Sequence, residues 1–292
     1  MKLTENVMQL GNRHFNFFVV GQKKAAIVEC GVNGGVVSFN QQWIPWLEKP
    51  AIHNLVVSHA HFDHVCGIPA LRRLFPQAKL LASAEAQKVL SRTKILDNFF
   101  SQDDKMSEVL MDQGLVPEKI STPVTKEIAV DEILGEGDRI DLGKGLRLEV
   151  MDAPGHSPCS LAFYLPGDKV MFLSDAAGFQ ISDEAIFPIF FQGYEMYMET
   201  IKRLMTFPTM VLGTPHERVW VKDDIADFYQ RAINSAQNAF SMISRMLDSS
   251  KDEKVMRQNL FEIYYQGNLR IYTPENINIC LELLIRRVKE CL

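Results

Sequence analysis

The sequence contains little cysteine and no CxxC pair. Its five cysteines stand at positions 30, 66, 159, 280 and 291, an odd number with no regular spacing. Small secreted domains that depend on disulfides carry even, closely spaced sets. We therefore expect no disulfide framework, and we expect a protein of the reducing cytoplasm.

Long apolar runs and an excess of positive charge are also absent. No run approaches the ~20 apolar residues that a membrane-spanning helix needs. The first fifteen residues lack the apolar core and the cleavage site of a secretory signal. The 31 Lys and Arg against 36 Asp and Glu give a formal net charge of -5, whereas a nucleic-acid binder normally shows a basic patch. We expect neither a membrane nor a nucleic acid among the partners.

Apolar residues, in contrast, are abundant enough for a large core. Of the 292 residues, 47% are hydrophobic and 18 are Phe, which suits one large domain or a domain with an appendage. Strand-like runs alternate with helices up to about residue 220, and Phe15 to Val20 with Ala25 to Cys30 predict a hairpin. After Trp220, apolar residues recur at helical spacing. We predict a domain over 1–220 and a helical C-terminal extension over 221–292.

Histidines concentrate in the motif HAHFDH at residues 59–64, directly after a predicted strand. A loop that leaves a strand aims residues two apart in the same direction, so His59 and His61 can reach one metal ion. Asp63 and His64 can turn toward a second position nearby. Imidazole suits Zn, Fe or Ni, and a carboxylate adds a harder ligand. The alternative, a set of capping residues at a strand end, is disfavoured because clustered His and Asp are poor core formers.

Three further motifs place a ligand-capable side chain after a predicted strand. APGHS contains His156, SDAAG contains Asp175, and GTPHE contains His216. Each motif is weak alone, because a single His after a Gly or Pro turn is usually an ordinary loop residue. Together with HAHFDH they place ligands at the ends of four strands, as a shared site at one edge of packed sheets requires. For His14 and His53 we predict no function.

HAHFDH, APGHS, SDAAG and TPHE, in this order, resemble the metal motifs of the metallo-β-lactamase superfamily. The resemblance covers roughly residues 1–220 and implies an α/β (α+β) fold, an αββα sandwich with a dinuclear site between the sheet edges. It also implies a hydroxide that bridges the two ions. The implied ligands are His59, His61 and His156 for the first ion, Asp63, His64 and His216 for the second, and Asp175 as the bridge.

The ligand set indicates which members of the superfamily the sequence resembles most. A bridging Asp175 is similar to glyoxalase II-like thioesterases and lactonases, whereas true β-lactamases usually carry Cys there. Flavodiiron reductases usually carry Glu in place of His61, and nothing after residue 220 resembles their flavodoxin domain. The helical insertion near 97–115, the segment 193–204 and the helical tail are similar in layout to the quinolone-signal response thioesterase. This similarity implies that the tail covers the mouth of the site.

Several features allow two interpretations. Glu29 stands where many relatives carry Asp, and Cys66 and Cys159 are either thiols near the metals or small buried residues. The aromatic run 186–194 suits either an acyl or aryl pocket or ordinary core packing. Basic residues of the tail suit either contact with a CoA phosphate or a solvated helix face; they are Arg270, Arg286, Arg287 and Lys289.

These observations predict a metal-dependent hydrolase that directs a metal-bridging hydroxide at a thioester of acyl-CoA or aryl-CoA type, or at a related ester. Asp63 is expected to orient or shuttle a proton in addition to binding metal. The expected cofactors are two divalent ions, zinc first, with iron and manganese as alternatives. Other functions stay open: a lactonase or other ester hydrolase, a di-iron redox protein, or a regulatory protein acting through its helical tail. The tail also offers a surface for a homodimer.

Overall fold

Two β-sheets packed face to face organise the chain. The computed structural model describes residues 1–117, 126–249 and 252–292. In chain order, the strands are β1 (Val7–Gly11), β2 (Asn16–Val20), β3 (Lys24–Val28), β4 (Ala51–Val56), β5 (Lys79–Ser83), β6 (Glu132–Leu134), β7 (Arg139–Asp141), β8 (Arg147–Asp152), β9 (Leu161–Leu165), β10 (Val170–Phe172), β11 (Phe179–Gln180), β12 (Ile186–Phe187), β13 (Val211–Gly213) and β14 (Trp220–Val221).

In the described residues, each large sheet has six strands. The first has the order β1-β2-β3-β4-β5-β6, and the second has the order β14-β13-β10-β9-β8-β7. The first sheet is antiparallel from β1 to β3 and parallel from β3 to β6. The predicted hairpin is confirmed, because β2 pairs with β3 in antiparallel register. β11 and β12 form a separate two-stranded ribbon.

The alternation of side chains in β2 shows how the layers form. Phe18 and Val20 point between the sheets, where Phe163 of the second sheet belongs to the same buried cluster. Phe17 and Val19 point to the opposite face and pack into the layer of helices. Successive strand residues face opposite sides, so a strand covered on both sides is apolar throughout. This packing gives β2 its sequence NFFVV and produces the two inner layers of the sandwich.

Helices cover the outer faces of the sheets. They are α1 (Asn33–Trp43), α2 (Phe62–Val65), α3 (Ile68–Leu74), α4 (Ala84–Leu90), α5 (Thr93–Asp112), α6 (Tyr194–Leu204), α7 (Asp224–Ser249), α8 (Glu253–Tyr264) and α9 (Pro274–Cys291), with a 3₁₀ turn at Gly267–Ile271. α1 and α4 pack on the first sheet, and α7 packs against β14 of the second. The αββα sandwich expected from the sequence is therefore confirmed.

Two predicted helix starts follow from local chemistry. The Ser83 hydroxyl accepts a hydrogen bond from the Ala86 amide and caps α4, as expected of a serine at this position. Pro274 is the first residue of α9, where its missing N–H costs nothing. The helical insertion predicted near 97–115 falls largely within α5.

The C-terminal region is helical, as predicted, and packs on the sandwich. Phe228 of α7 and Leu281 and Leu284 of α9 are fully buried in the same apolar cluster as Phe187 and Phe190. α9 contacts α6, α7 and α8. The division at residue 220 and a homodimer through this region stay predictions. Among the residues that the structure describes, no helix is long and apolar enough to cross a membrane.

Candidate metal centre

Strand ends from both sheets deliver the predicted ligands to one place. His59 follows β4, and His61 is the residue that precedes α2, a single helical turn containing Asp63 and His64. His156, Asp175 and His216 follow β8, β10 and β13 of the second sheet. All of these side chains are buried except that of His61, which is half-buried.

The turn before His156 depends on a glycine. Gly155 has a φ of +116°, which side-chain-bearing residues rarely adopt. A Cβ atom there would lie 2.3 Å from the Cα atom of Tyr197. The motif APGHS therefore supplies both the tight turn and the close approach of α6 that places His156 at the edge of the sheet.

Three imidazoles form the first group of potential ligands. His59 Nε2 lies 3.0 Å from His61 Nδ1 and 3.2 Å from His156 Nε2, and His156 Nε2 lies 3.0 Å from His61 Nδ1. Nitrogens bound to one tetrahedral zinc ion at 2.0–2.1 Å are separated by roughly 3.3 Å. The spacing of this group therefore fits one shared ion.

A second group lies beside the first. His216 Nε2 is 3.2 Å from His64 Nε2, and Asp63 Oδ2 is 3.5 Å from His216 Nε2 and 3.8 Å from His64 Nε2. Asp175 lies between the groups: its Oδ2 atom is 3.5 Å from both His156 Nε2 and His64 Nε2. The structure thus brings all seven predicted residues together, in the two groups that the resemblance implied. That they bind metal stays a prediction.

The chemistry of the donors fits cations. Burial, followed by the neighbouring imidazoles, lowers the pKa of His59 well below its ordinary value. Burial and then His156 lower the pKa of His61 to about 3. Both rings are therefore neutral, which is the form that binds a metal ion. Lone pairs that converge at such short distances repel one another unless a cation lies between them.

Outer hydrogen bonds set the direction of four of the imidazoles. In each of these rings Nδ1 faces away from the cluster and has an oxygen partner 2.9–3.0 Å away: Ser174 Oγ for His59, Glu29 Oε2 for His64, the Ile189 carbonyl for His156 and the His14 carbonyl for His216. Carboxylate and carbonyl oxygens only accept, so Nδ1 of His64, His156 and His216 carries a proton and Nε2 of each ring points into the cluster. Such partners orient metal-binding histidines and raise their basicity.

Two of these partners occupy unusual backbone conformations. Glu29 has a φ of 72° and Ser174 a φ of 54°, in the left-handed region that non-glycine residues seldom enter. Glu29 directly follows β3, and Ser174 closely follows β10. The left-handed conformation turns each side chain toward a histidine. Residues held in such conformations concentrate at functional sites. In the sequence, Glu29 differs from the Asp that many relatives carry, whereas nothing distinguishes Ser174 from the rest of SDAAG.

The helical tail reaches the cluster through Tyr272. Its hydroxyl group donates a hydrogen bond of 2.6 Å to Asp63 Oδ2, and the side chain is buried. Burial and then the carboxylates of Asp63 and Asp175 raise the pKa of Tyr272 well above its ordinary value, which keeps the phenol protonated. No motif in the sequence indicated this contact.

An apolar cavity of about 180 Å³ adjoins the cluster. Besides His61, Asp63, His156 and Asp175, its walls consist of Phe62, Phe99, Gln102, Phe179, Phe187, Ile189, Phe191, Leu269, Tyr272, Asn276, Ile277, Ile279, Cys280 and Leu283. Residues of the aromatic run 186–194 both line this cavity and pack in the core, and a role in binding an acyl or aryl group stays a prediction. Phe187, Ile189 and Phe191 line the cavity, whereas Phe190 is fully buried in the core.

The other candidate residues lie outside the cluster. Cys66 is fully buried in the core, and the Cys159 thiol accepts a hydrogen bond from the Ala60 amide. Neither belongs to a group of potential metal ligands among the described residues. In the tail, Arg287 pairs with Glu290 and Lys289 pairs with Glu253.

A sequence model of the metallo-β-lactamase superfamily matches residues 12–216. The chain belongs to this superfamily. The metallo-β-lactamase fold-containing protein ST1585 of Sulfurisphaera tokodaii is 25% identical to this chain over 203 residues. These residues are 68% of this chain and 71% of that protein. Its crystal structure aligns with a TM-score of 0.59 at 21% identity, over 98% of this chain and 99% of the other.

Relatives with more specific names match over smaller shares of their length. An anaerobic nitric oxide reductase flavorubredoxin of Vibrio vulnificus is 40% identical over 202 residues, which cover 63% of this chain and 31% of that protein. A hydroxyacylglutathione hydrolase of Ruegeria pomeroyi is 29% identical over 120 residues, or 41% of this chain and 32% of the hydrolase. The chain thus spans about a third of the length of these two proteins, and the superfamily includes hydrolases as well as redox proteins.

Proposed function

We infer that this protein is a metal-dependent hydrolase that cleaves a thioester with a small apolar acyl group. The observation that carries the proposal is the juxtaposition of two groups of potential ligands with an apolar cavity that opens beside them. The similarity to a hydroxyacylglutathione hydrolase supports a thioester or a related ester. A lactone or another ester is the near alternative.

The cluster would hold two divalent ions, zinc first among the candidates, in the groups around His61 and His64. When bound, such ions activate water as a nucleophile near neutral pH and polarise a carbonyl group. Asp63 orients the attacking water and accepts its proton through a carboxylate oxygen. Tyr272 holds this carboxylate in place through its hydroxyl group. A thiolate leaving group needs little protonation, so the site needs no separate strong acid.

The cavity limits the size of the acyl group. An apolar cavity of about 150 Å³ takes up benzene, so 180 Å³ suits one aromatic ring with a small substituent or an acyl chain of about six carbons. We expect benzoyl, phenylacetyl and hexanoyl thioesters to be cleaved in preference to long-chain acyl thioesters.

The test is hydrolysis of a panel of acyl-CoA and aryl-CoA thioesters by metal-loaded protein, with Asp63→Ala as the blank. We expect Asp63→Ala and His61→Ala to lose at least ~100-fold in rate, because metal activation supplies most of the catalysis. Asp183→Ala, an exposed loop position, is the matched control and should retain the wild-type rate. Near wild-type turnover by Asp63→Ala would rule out this mechanism. Turnover of lactones alone would move the assignment to the alternative substrate.

A di-iron redox function is the second candidate, and the 40% identity to the flavorubredoxin favours it. Against it stands His61, which completes a group of three imidazoles at the position where flavodiiron reductases usually carry Glu. Anaerobic titration with dithionite distinguishes the functions. A hydrolase loaded with zinc takes up no electrons, whereas a di-iron centre takes up two per chain.

A further inference from the structure

The cavity beside the metal centre runs from a buried end to solvent along one face of α9. At the buried end, Tyr272 contacts Asp63. Asn276, Cys280 and Leu283 follow at helical spacing and form part of the wall. Among the described residues that line the cavity, only Ile279 is exposed, at 58%. It lies three residues after Asn276, so the cavity opens to solvent at this part of the helix.

A pair of amide side chains spans this opening. Asn276 Nδ2 of α9 donates a hydrogen bond of 2.8 Å to Gln102 Oε1 of α5. In the described part of the chain, the Nε2 group of Gln102 makes no hydrogen bond, and Asn276 Oδ1 receives only a long contact of 4.0 Å from the Cys280 thiol. Both side chains are half-buried. The pair therefore leaves the N–H donors of Gln102 Nε2 and the C=O acceptor of Asn276 available at the mouth of the cavity.

A secondary amide is the group that matches this arrangement. Its C=O accepts from an N–H donor while its own N–H donates to a carbonyl oxygen. The group must be uncharged, because among the described residues no Lys or Arg lines the cavity and an unpaired charge is costly to bury. Asn276 and Gln102 line the same cavity as Tyr272 and Asp63. A substrate whose carbonyl group lies at the metal centre can therefore reach this pair with its thiol arm.

We propose that Gln102 and Asn276 recognise a secondary amide in the thiol arm of the substrate. The acyl group then occupies the inner, aromatic part of the cavity, and the thiol arm leaves through the mouth. This inference rests on the proposed thioesterase function and specifies its leaving group. The helices α5 and α9 then help to select the substrate, which is a role that the metal ligands do not have.

The test compares two hexanoyl thioesters that differ in one atom. One has N-acetylcysteamine as its thiol, and the other has 2-mercaptoethyl acetate, in which an ester oxygen replaces the amide N–H. The wild-type protein should show a KM about three- to tenfold lower for the amide, the range of one net hydrogen bond. In Asn276→Leu the ratio of the two KM values should fall to about one. Asn276→Asp keeps an acceptor oxygen and should retain a preference for the amide.

A control separates recognition from helix packing. Asn278→Leu makes the same substitution on α9, and Asn278 does not line the cavity, so the preference should persist in this variant. If Asn276 only joined α9 to α5, Asn276→Leu would lower the melting temperature and leave the preference for the amide unchanged. That result, or equal KM values for the two substrates in the wild-type protein, would overturn the proposal.

A binding measurement distinguishes this proposal from the proposed hydrolysis. The corresponding hexyl thioethers have no carbonyl group to attack, and their affinity is measured by calorimetry. Tighter binding of the amide thioether, lost in Asn276→Leu, supports the amide site even if no thioester is cleaved. Equal binding of the two thioethers refutes the amide site even if thioesters are cleaved.

Discussion

Replacing Tyr272 by Phe tests whether the helical tail supports the metal centre. The substitution removes one hydroxyl group and leaves the aromatic ring that packs against Phe62 and Phe179. The lost group is the donor of the 2.6 Å hydrogen bond to Asp63 Oδ2. The same oxygen lies 3.5 Å from His216 Nε2, which belongs to the second group of ligands. We therefore expect the substitution to weaken metal binding at the second group.

The size of the effect follows from the charge and burial of the acceptor. A hydrogen bond to a charged group contributes about 1.5–3 kcal/mol, and loss of an outer partner of a metal ligand typically lowers metal affinity by ~10–100-fold. We therefore expect Tyr272→Phe to bind one of two zinc ions about 10–100-fold more weakly and the other with nearly unchanged affinity. Titration with zinc in the presence of a competing chelator resolves the two affinities.

Tyr229→Phe is the matched control. Tyr229 lies in α7 and is also buried, but its hydroxyl group has no hydrogen-bond partner in the described structure. Its removal should leave both zinc affinities unchanged. Equal zinc affinities in Tyr272→Phe and the wild-type protein would refute the conclusion that the tail supports the centre, whatever the effect on turnover.

The ligands were predictable from sequence because their signals are local. HAHFDH contains four of them within six residues, and strand ends are recognisable from short apolar runs. Ser83 and Pro274 mark helix starts through chemistry that acts within three residues. Spacing within HAHFDH places His59 and His61 at one ion and Asp63 and His64 at a second position. The assignment of His156, Asp175 and His216 to these ions came from the resemblance to the superfamily.

Apart from Glu29, the partners that support the ligands could not be predicted, because they are distant in sequence or lack a side-chain signature. Tyr272 and Asp63 are separated by 209 positions, and Asn276 and Gln102 by 174. His14 and Ile189 act through backbone carbonyls, which every residue has. These contacts become visible only in the folded structure, where the tail and the turn between β1 and β2 pack against the sheet edges.

Two buried carboxylates give further tests. Glu29→Gln keeps an acceptor for His64 Nδ1 but removes its charge, and we expect roughly tenfold weaker zinc binding by chelator competition. Asp103, which accepts two hydrogen bonds from Asn33, has a pKa raised by burial from 3.8 to about 7. Folding therefore favours its protonated form, and this stabilisation is complete below about pH 4 and lost as the pH rises through about 7. Asp103→Asn cannot ionise, so urea denaturation should show a loss of stability between pH 5 and 8 that is smaller than in the wild-type protein, by up to about 3 kcal/mol. The same pH dependence in both proteins would show that Asp103 is ionised throughout this range.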